Sequence, residues 1–219
     1  MSSSIIVVPH YDDELFCAGS FLLSYKHDIN IVFTHTTDFI SKKEEYKQSE
    51  FLINSMKIIN KYRKEHKMPE IKMFVTETLD FARHLIENMI KDAGKIDYFI
   101  TTAMSTHPSH TECHNFCIEL LRWPYISKIQ DFLTATYPQN WLSTCQQQEN
   151  CFFGFKKEIM QILERCFDAY APKIKDNLLL CFPTFYHYCE LTGLRVGQEF
   201  AQPFIIKQHN VIFEEKENA

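Results

Sequence analysis

Glycine is scarce in this chain, with five in 219 residues, and the turn after the first predicted strand contains none. That turn reads His10-Tyr11-Asp12-Asp13. A dinucleotide fingerprint or a P-loop needs glycines there so that backbone N–H groups can close on phosphate, and acidic side chains would repel it. Positive charge is not in excess either: 23 Lys and Arg face 28 Asp and Glu, for a net charge of −5. No basic field therefore favours nucleic acid or an anionic membrane. Long apolar runs are missing too; none reaches the roughly 18 residues a membrane span needs. Met1 to Ser4 carries no positive segment, and Ile5 to Pro9 is too short for a secretory signal. Without such a signal, the eight cysteines (17, 113, 117, 145, 151, 166, 181 and 189) read as reduced thiols, and the expected location is cytoplasmic. With no internal repeat and no linker composition, residues 1–219 are expected to form one domain.

What is present is a core-forming composition, 45% hydrophobic, arranged in alternating periods. Ile5-Ile6-Val7-Val8 is a β-branched run closed by Pro9, as for a strand buried on both faces. Leu15 to Tyr25 has helical spacing, and Asn30 to Thr34 is a second strand. Glu44 to Lys64 places Phe51, Leu52, Met56, Ile59 and Tyr62 on one helical face. Ile71–Val75, Phe81–Lys91, Asp97–Thr102 and Thr111–Leu121 continue the alternation of strand and helix. This order predicts an α/β fold: a Rossmann-like, parallel, twisted sheet with helices on both faces. Further on, Pro138 to Gly154 reads as a polar loop, Phe155 to Tyr170 as a helix and Leu178 to Phe182 as a strand. Phe204 to Phe213 reads as a final strand or hairpin.

Two polar clusters follow the first and fourth strands: His10 to Glu14, and Ser105 to His110. In doubly wound sheets these strands lie side by side where strand order reverses, and ligands bind beyond their carboxyl ends. The topology thus converges His10, Asp13, His107 and His110. Two imidazoles and a carboxylate suit Zn²⁺, and three protein ligands leave a position open for water, as in catalytic sites. His10, Asp13 and His110 are assigned as metal ligands. Asp12 faces the substrate side as general base. The donor set also accepts Fe²⁺ or Mn²⁺.

Pro9-His10-Tyr11-Asp12-Asp13-Glu14 resembles the His-Pro-Asp-Asp-Glu motif of the LmbE/PIG-L family of N-acetylglucosaminyl deacetylases. His107-Pro108-Ser109-His110 resembles the same family's His-Pro-Asp-His motif. Lys47 to Asn60 is similar to the family's helix bearing a glutamate, matched by Glu50, and Arg195 to Phe204 echoes its C-terminal Gly...Tyr-Ala-Glu-x-Phe segment. The resemblance implies a Rossmann-like fold, zinc, and hydrolysis of an N-acetyl group. It implies the same three metal ligands, Asp12 acting on the metal-held water, and His107 as a catalytic group that assists the tetrahedral intermediate or protonates the leaving amine. Tyr11 and Ser109 depart from the family's proline and aspartate, the second removing a carboxylate beside the histidines. The expected partner is a small molecule or glycan bearing an N-acetyl amino-sugar. Two alternatives stand beside this: a zinc amidase for a non-sugar N-acyl amine, and a non-catalytic metal- or sugar-binding relative.

Several signals have a plainer explanation. Asp12-Asp13 could simply cap a helix. His110, Cys113, His114 and Cys117 share a helical face and could be a structural zinc site, although buried cysteines explain the pattern better. Phe182 to Cys189 could be a sugar platform with His187 near the metal, or core packing. Trp141 could belong to a lid, and residues 38–43, with Lys42 and Lys43, to a substrate-binding loop.

Overall fold

The computed structural model describes residues 2–35, 42–103, 107–120, 127–136, 149–174 and 181–209. The first strand, β1 (Ser2–Val8), leads into α1 (Asp13–Ser24), followed by β2 (Asp28–Phe33), α2 (Lys42–Glu65), β3 (Lys72–Val75) and α3 (Leu79–Asp92). Then come β4 (Lys95–Thr102), α4 (Pro108–Leu120), β5 (Ile129–Ala135) and β6 (Cys151–Phe155). The described elements close with α5 (Lys157–Ile174), α6 (Phe182–Val196) and β7 (Phe200–His209). The strands form one sheet in the order β3-β2-β1-β4-β5-β7-β6. The Rossmann-like expectation holds, with a refinement: β1 to β5 are parallel, while β7 pairs antiparallel with both β5 and β6.

Period-two alternation sends successive residues of β1 to opposite faces. Ile6 and Val8 join a core with apolar residues of α1, α2, α5 and α6. Ile5 and Val7 join a second core under α3 and α4. Ile5 to Val8 are fully buried on both faces, which is why the strand reads as an unbroken apolar run. No described cysteine is in a disulfide. Among the described residues, no helix is long and apolar enough to cross a membrane.

Helix α1 is broken in the middle. Ala18 has φ −148° and ψ 17°, and the hydrogen bond that should run from Ser20 N–H to Phe16 C=O is replaced by a side chain. Gln202 of β7 accepts from Ser20 N–H (3.1 Å) and from the Ser20 hydroxyl (2.7 Å). Its amide N–H donates to the Phe16 carbonyl (2.7 Å). A side chain inserted into the backbone ladder is a recognised cause of a kink, and here both orphaned groups stay satisfied inside the core. The far end of α1 is secured by Arg63 of α2, fully buried. Its guanidinium donates to the carbonyls of Leu22, Tyr25, His27 and Pro69 at 2.6–2.9 Å. Those of Leu22 and Tyr25 belong to the helix end, where intrahelical partners run out.

Three elements differ from the sequence expectation. Cys151–Phe155 is a strand rather than loop, and Phe182 opens α6 rather than ending a strand. Ile129–Ala135 is a central strand that periodicity did not pick out. Gly197, at φ +70°, terminates α6 in the left-handed conformation that glycine adopts without strain and turns the chain into β7.

Candidate active site

Beyond the carboxyl end of β1 the chain makes one tight turn before α1 begins. Asp12 occupies the helix-capping position at φ 105° and ψ −28°, a left-handed conformation costly for a non-glycine residue. Several hydrogen bonds hold it there. Its N–H donates to Glu14 Oε2 (2.8 Å), and its carbonyl accepts from Leu15 and Phe16 N–H (3.0 and 3.4 Å). Asp12 makes no side-chain capping bond to the helix, so capping does not explain its carboxylate. Glu14 is in turn fixed by the Tyr170 hydroxyl of α5, which donates to Oε1 at 2.7 Å. Complete burial, reinforced by the neighbouring Asp12 charge, pushes the Glu14 carboxyl up to about 8, against the pull of the Tyr170 bond. Glu14 lay within the sequence motif but its support role did not show there, because Tyr170 is 156 positions away.

Asp13 faces the imidazoles. Its Oδ2 accepts from His10 N–H (3.0 Å) and lies 3.4 Å from both His10 Nδ1 and His110 Nε2. His110 and His107 come from the start of α4, beyond β4, and β4 pairs directly with β1. The His107 ring is 5.1 Å from those of both His10 and His110, centroid to centroid, and the latter two are 5.5 Å apart. Ligand-capable atoms of His10, His107 and His110 all fall within 4.8 Å of one another. All four expected groups are therefore brought together: the three imidazoles form one ligand-capable group, and Asp13 lies beside two of them. Two donors about 2.1 Å from a tetrahedral ion stand about 3.4 Å apart. The two Asp13–imidazole separations match that figure, and the donor types fit zinc.

Burial is graded. The Asp13 side chain is 5% exposed, those of His10 and His110 14% and 13%, and His107 is exposed. Burial lowers the His110 pKa, Asp13 raises it, and the imidazoles of His10, His107 and His35 lower it again. The net direction favours the neutral, metal-ligating form. His35, at the end of β2, was not singled out in the sequence. Its ring is 6.4 Å from that of His10, and its nitrogens meet Thr34 Oγ1 (2.8 Å) and Glu112 Oε2 (2.9 Å). The available signal was its place, a polar residue where a parallel strand ends.

Other candidates resolve into packing. Cys113 and Cys117 are fully buried in the second core, and His114 Nδ1 bonds the Thr102 carbonyl at 2.8 Å. Phe185, Tyr188 and Cys189 are core residues, whereas His187 is exposed and meets Glu190 at 3.2 Å. His187 is thus not among the converging imidazoles. Ser109 is buried in the first turn of α4, and Glu50 is exposed on α2. Trp141, Gln146 to Gln148 and residues 38–41 lie outside the described residues, as do the side chains of Lys42 and Lys43.

No family model and no curated protein matches the sequence. Solved structures do match. The zinc-inhibited form of teicoplanin deacetylase Orf2 aligns with a TM-score of 0.67 at 8% identity, over 95% of this chain and 99% of the other. The A40926 pseudoaglycone deacetylase Dbv21 aligns at 0.63 and 11% identity, over 95% and 98%. N,N'-diacetylchitobiose deacetylase from Pyrococcus horikoshii aligns at 0.59 and 10% identity, over 93% and 83%. At such identities the likeness is one of fold, the fold that these three deacetylases share.

Proposed function

We propose that this chain is a single-domain, metal-dependent hydrolase that removes the N-acetyl group from an N-acetylglucosamine-containing substrate. The observation that carries the reading is the Asp13 carboxylate, 3.4 Å from two imidazoles delivered by different loops beyond adjacent parallel strands. The deacetylase fold supports it, as does the name of a neighbour that acts on an N-acetylated sugar.

His10, Asp13 and His110 would hold the cation, zinc first, with Fe²⁺ or Mn²⁺ also accepted by this donor set. When bound, such an ion supplies a Lewis acid that acidifies water and polarises an amide carbonyl. Asp12 is buried, makes no capping bond and is aimed by a strained turn. It takes the proton of the attacking water as general base. His107, exposed at the mouth beside the other two imidazoles, stabilises the developing oxyanion and returns a proton to the departing amine. The turn before Asp13 and the first turn of α4 hold these groups without further rearrangement, so orientation is supplied by the fold. The setting we propose is cytoplasmic, where the thiols of the described cysteines would stay reduced.

The test is acetate release from N-acetylglucosamine conjugates by metal-loaded protein, set beside metal content after chelation and reloading. The reading requires about one ion per chain and turnover that returns with the ion. One bound ion with no acetate from any N-acetyl sugar, but release from a non-sugar N-acyl amine, would move the substrate class. Bound metal with no amide hydrolysis at all would make the chain a binding module.

A further inference from the structure

The strand at one end of the sheet, β3, has a neighbour on one side only among the described residues. Thr76 N–H donates to the Phe33 carbonyl of β2 at 3.0 Å, and successive strand residues turn their backbone groups to alternate edges. Lys72 and Phe74 therefore address β2, whereas Met73 and Val75 turn their N–H and C=O outward. The same two residues are 36% and 49% exposed. They share the face of Ile71, which is buried against α2 in the first core. With Ile53 of α2 they make up three of the six large apolar residues left exposed among the described residues, so exposed apolar surface is concentrated at this edge.

Ile53 and Met73 line a groove of about 370 Å³ between α2 and β3. Lys57, Lys61 and Lys64 line it too, at spacings that put them on one face of α2. None of the three pairs with a carboxylate among the described residues, and Glu70 is the one acid among the described lining. A basic row beside an apolar strip stands out in a chain of net charge −5.

We propose that this edge docks an extended peptide segment of another protein, carrying apolar and acidic side chains, as an eighth strand of the sheet. The outward backbone groups of Met73 and Val75 pair with a strand of any sequence, and the side chains beside them select which. Ile53, Met73 and Val75 take apolar side chains, and the lysine row takes carboxylates. Lys57 and Lys61 stand about 6 Å apart along the helix axis. Same-face residues of a strand are about 6.7 Å apart, so acids at alternate positions meet both. A second copy of this chain is disfavoured, because two-fold pairing of β3 with itself sets the two lysine rows against each other. A lipid surface would meet the side chains and leave the backbone edge unpaired. The docking surface stands or falls without the deacetylase reading.

The probe is the acetylated and amidated octapeptide Thr-Val-Thr-Glu-Thr-Val-Thr-Glu, which sets valine and glutamate on one face of a strand. Its binding to the full chain is followed by fluorescence anisotropy and by hydrogen exchange of backbone amides. Exchange at Met73 and Val75 should slow on binding, while Lys72 and Phe74, already turned to β2, keep their rates. Lysine in place of both peptide glutamates should weaken binding on the order of tenfold, as exposed attractions become repulsions. The peptide methylated on its backbone nitrogens keeps its side chains and should not bind. Val75→Pro removes one outward N–H at a place where an edge strand accepts proline; affinity should fall on the order of tenfold with Tm nearly unchanged. Lys61→Glu combined with Lys64→Glu should reverse the preference toward the lysine peptide. No binding of the glutamate peptide, binding that ignores N-methylation, or equal binding of the lysine peptide would overturn the proposal. Protection of Met73 and Val75 that follows protein concentration without peptide would overturn it in favour of a second copy. Binding to phosphatidylserine vesicles with no response to the peptide would overturn it in favour of a membrane.

Discussion

The residue that concentrates most strain is Asp12, whose left-handed backbone costs about 1–3 kcal/mol and is held by Glu14 and the start of α1. Asparagine tolerates that conformation better than most residues, so Asp12→Asn isolates the charge from the turn. Turnover should fall by about 10²-fold or more while metal content stays near one per chain; near-normal turnover would remove Asp12 from the chemistry. Glu14 makes a second prediction. Its carboxyl is raised to about 8 from its ordinary value of 4.5, chiefly by burial. Between those values the folded chain holds a proton that the unfolded chain has released. Stability must therefore decline as pH rises through the window from about 4.5 to 8 and level off above it. In metal-stripped protein, denaturant melts should show this decline in the native chain and a shallower one in Glu14→Gln. Parallel curves would mean that the carboxylate is charged in the fold. At this scale the sequence was informative for groups named by spacing, His10, Asp12, Asp13, His107 and His110. It was silent on those defined by a distant partner, Glu14 with Tyr170 and His35 with Glu112.

At the scale of elements, the first four strands and four helices were legible because short β-branched or aromatic runs alternate with segments of helical period. β5 was not, since Gln130, Asp131 and Thr134 interrupt an otherwise apolar run. β6 ends beside a polar stretch and carries an exposed Gly154, so it lacks the pattern of a central strand. The aromatic run opening α6 has high strand propensity, yet burying Phe185, Tyr188 and Cys189 on a helical face outweighs it. Arg63 shows an element secured by one side chain. Arg63→Ala would strand several buried carbonyls, and a loss of about 3 kcal/mol or more is expected in urea melts. Arg63→Lys should recover part of this, since an ammonium cannot reach all four acceptors from one point. A loss under 1 kcal/mol for the alanine variant would mean that water replaces the guanidinium.

For the whole molecule, the proposed metal ligands join the two strands at the centre of the sheet, so an ion that binds only the folded chain must stabilise it by mass action. At a hundredfold excess over Kd the gain is about 2.7 kcal/mol, or about 5–10 °C in Tm for a chain of this length. Zinc should produce that shift in the native protein and lose it in Asp13→Ala; a shift that survives the substitution would place the ion elsewhere. The sheet also links the two ends of the sequence. The amide of Gln202 completes the ladder of α1 from 182 positions away, within the last described strand. A ribosome therefore releases the motif-bearing turn long before the part that finishes its helix. Until that glutamine has been made and docked, α1 holds two unmet backbone groups in its middle, and the turn ahead of it has no settled aim. Whatever chemistry the turn performs therefore waits for β7, which keeps a chain halted short of Gln202 from acting.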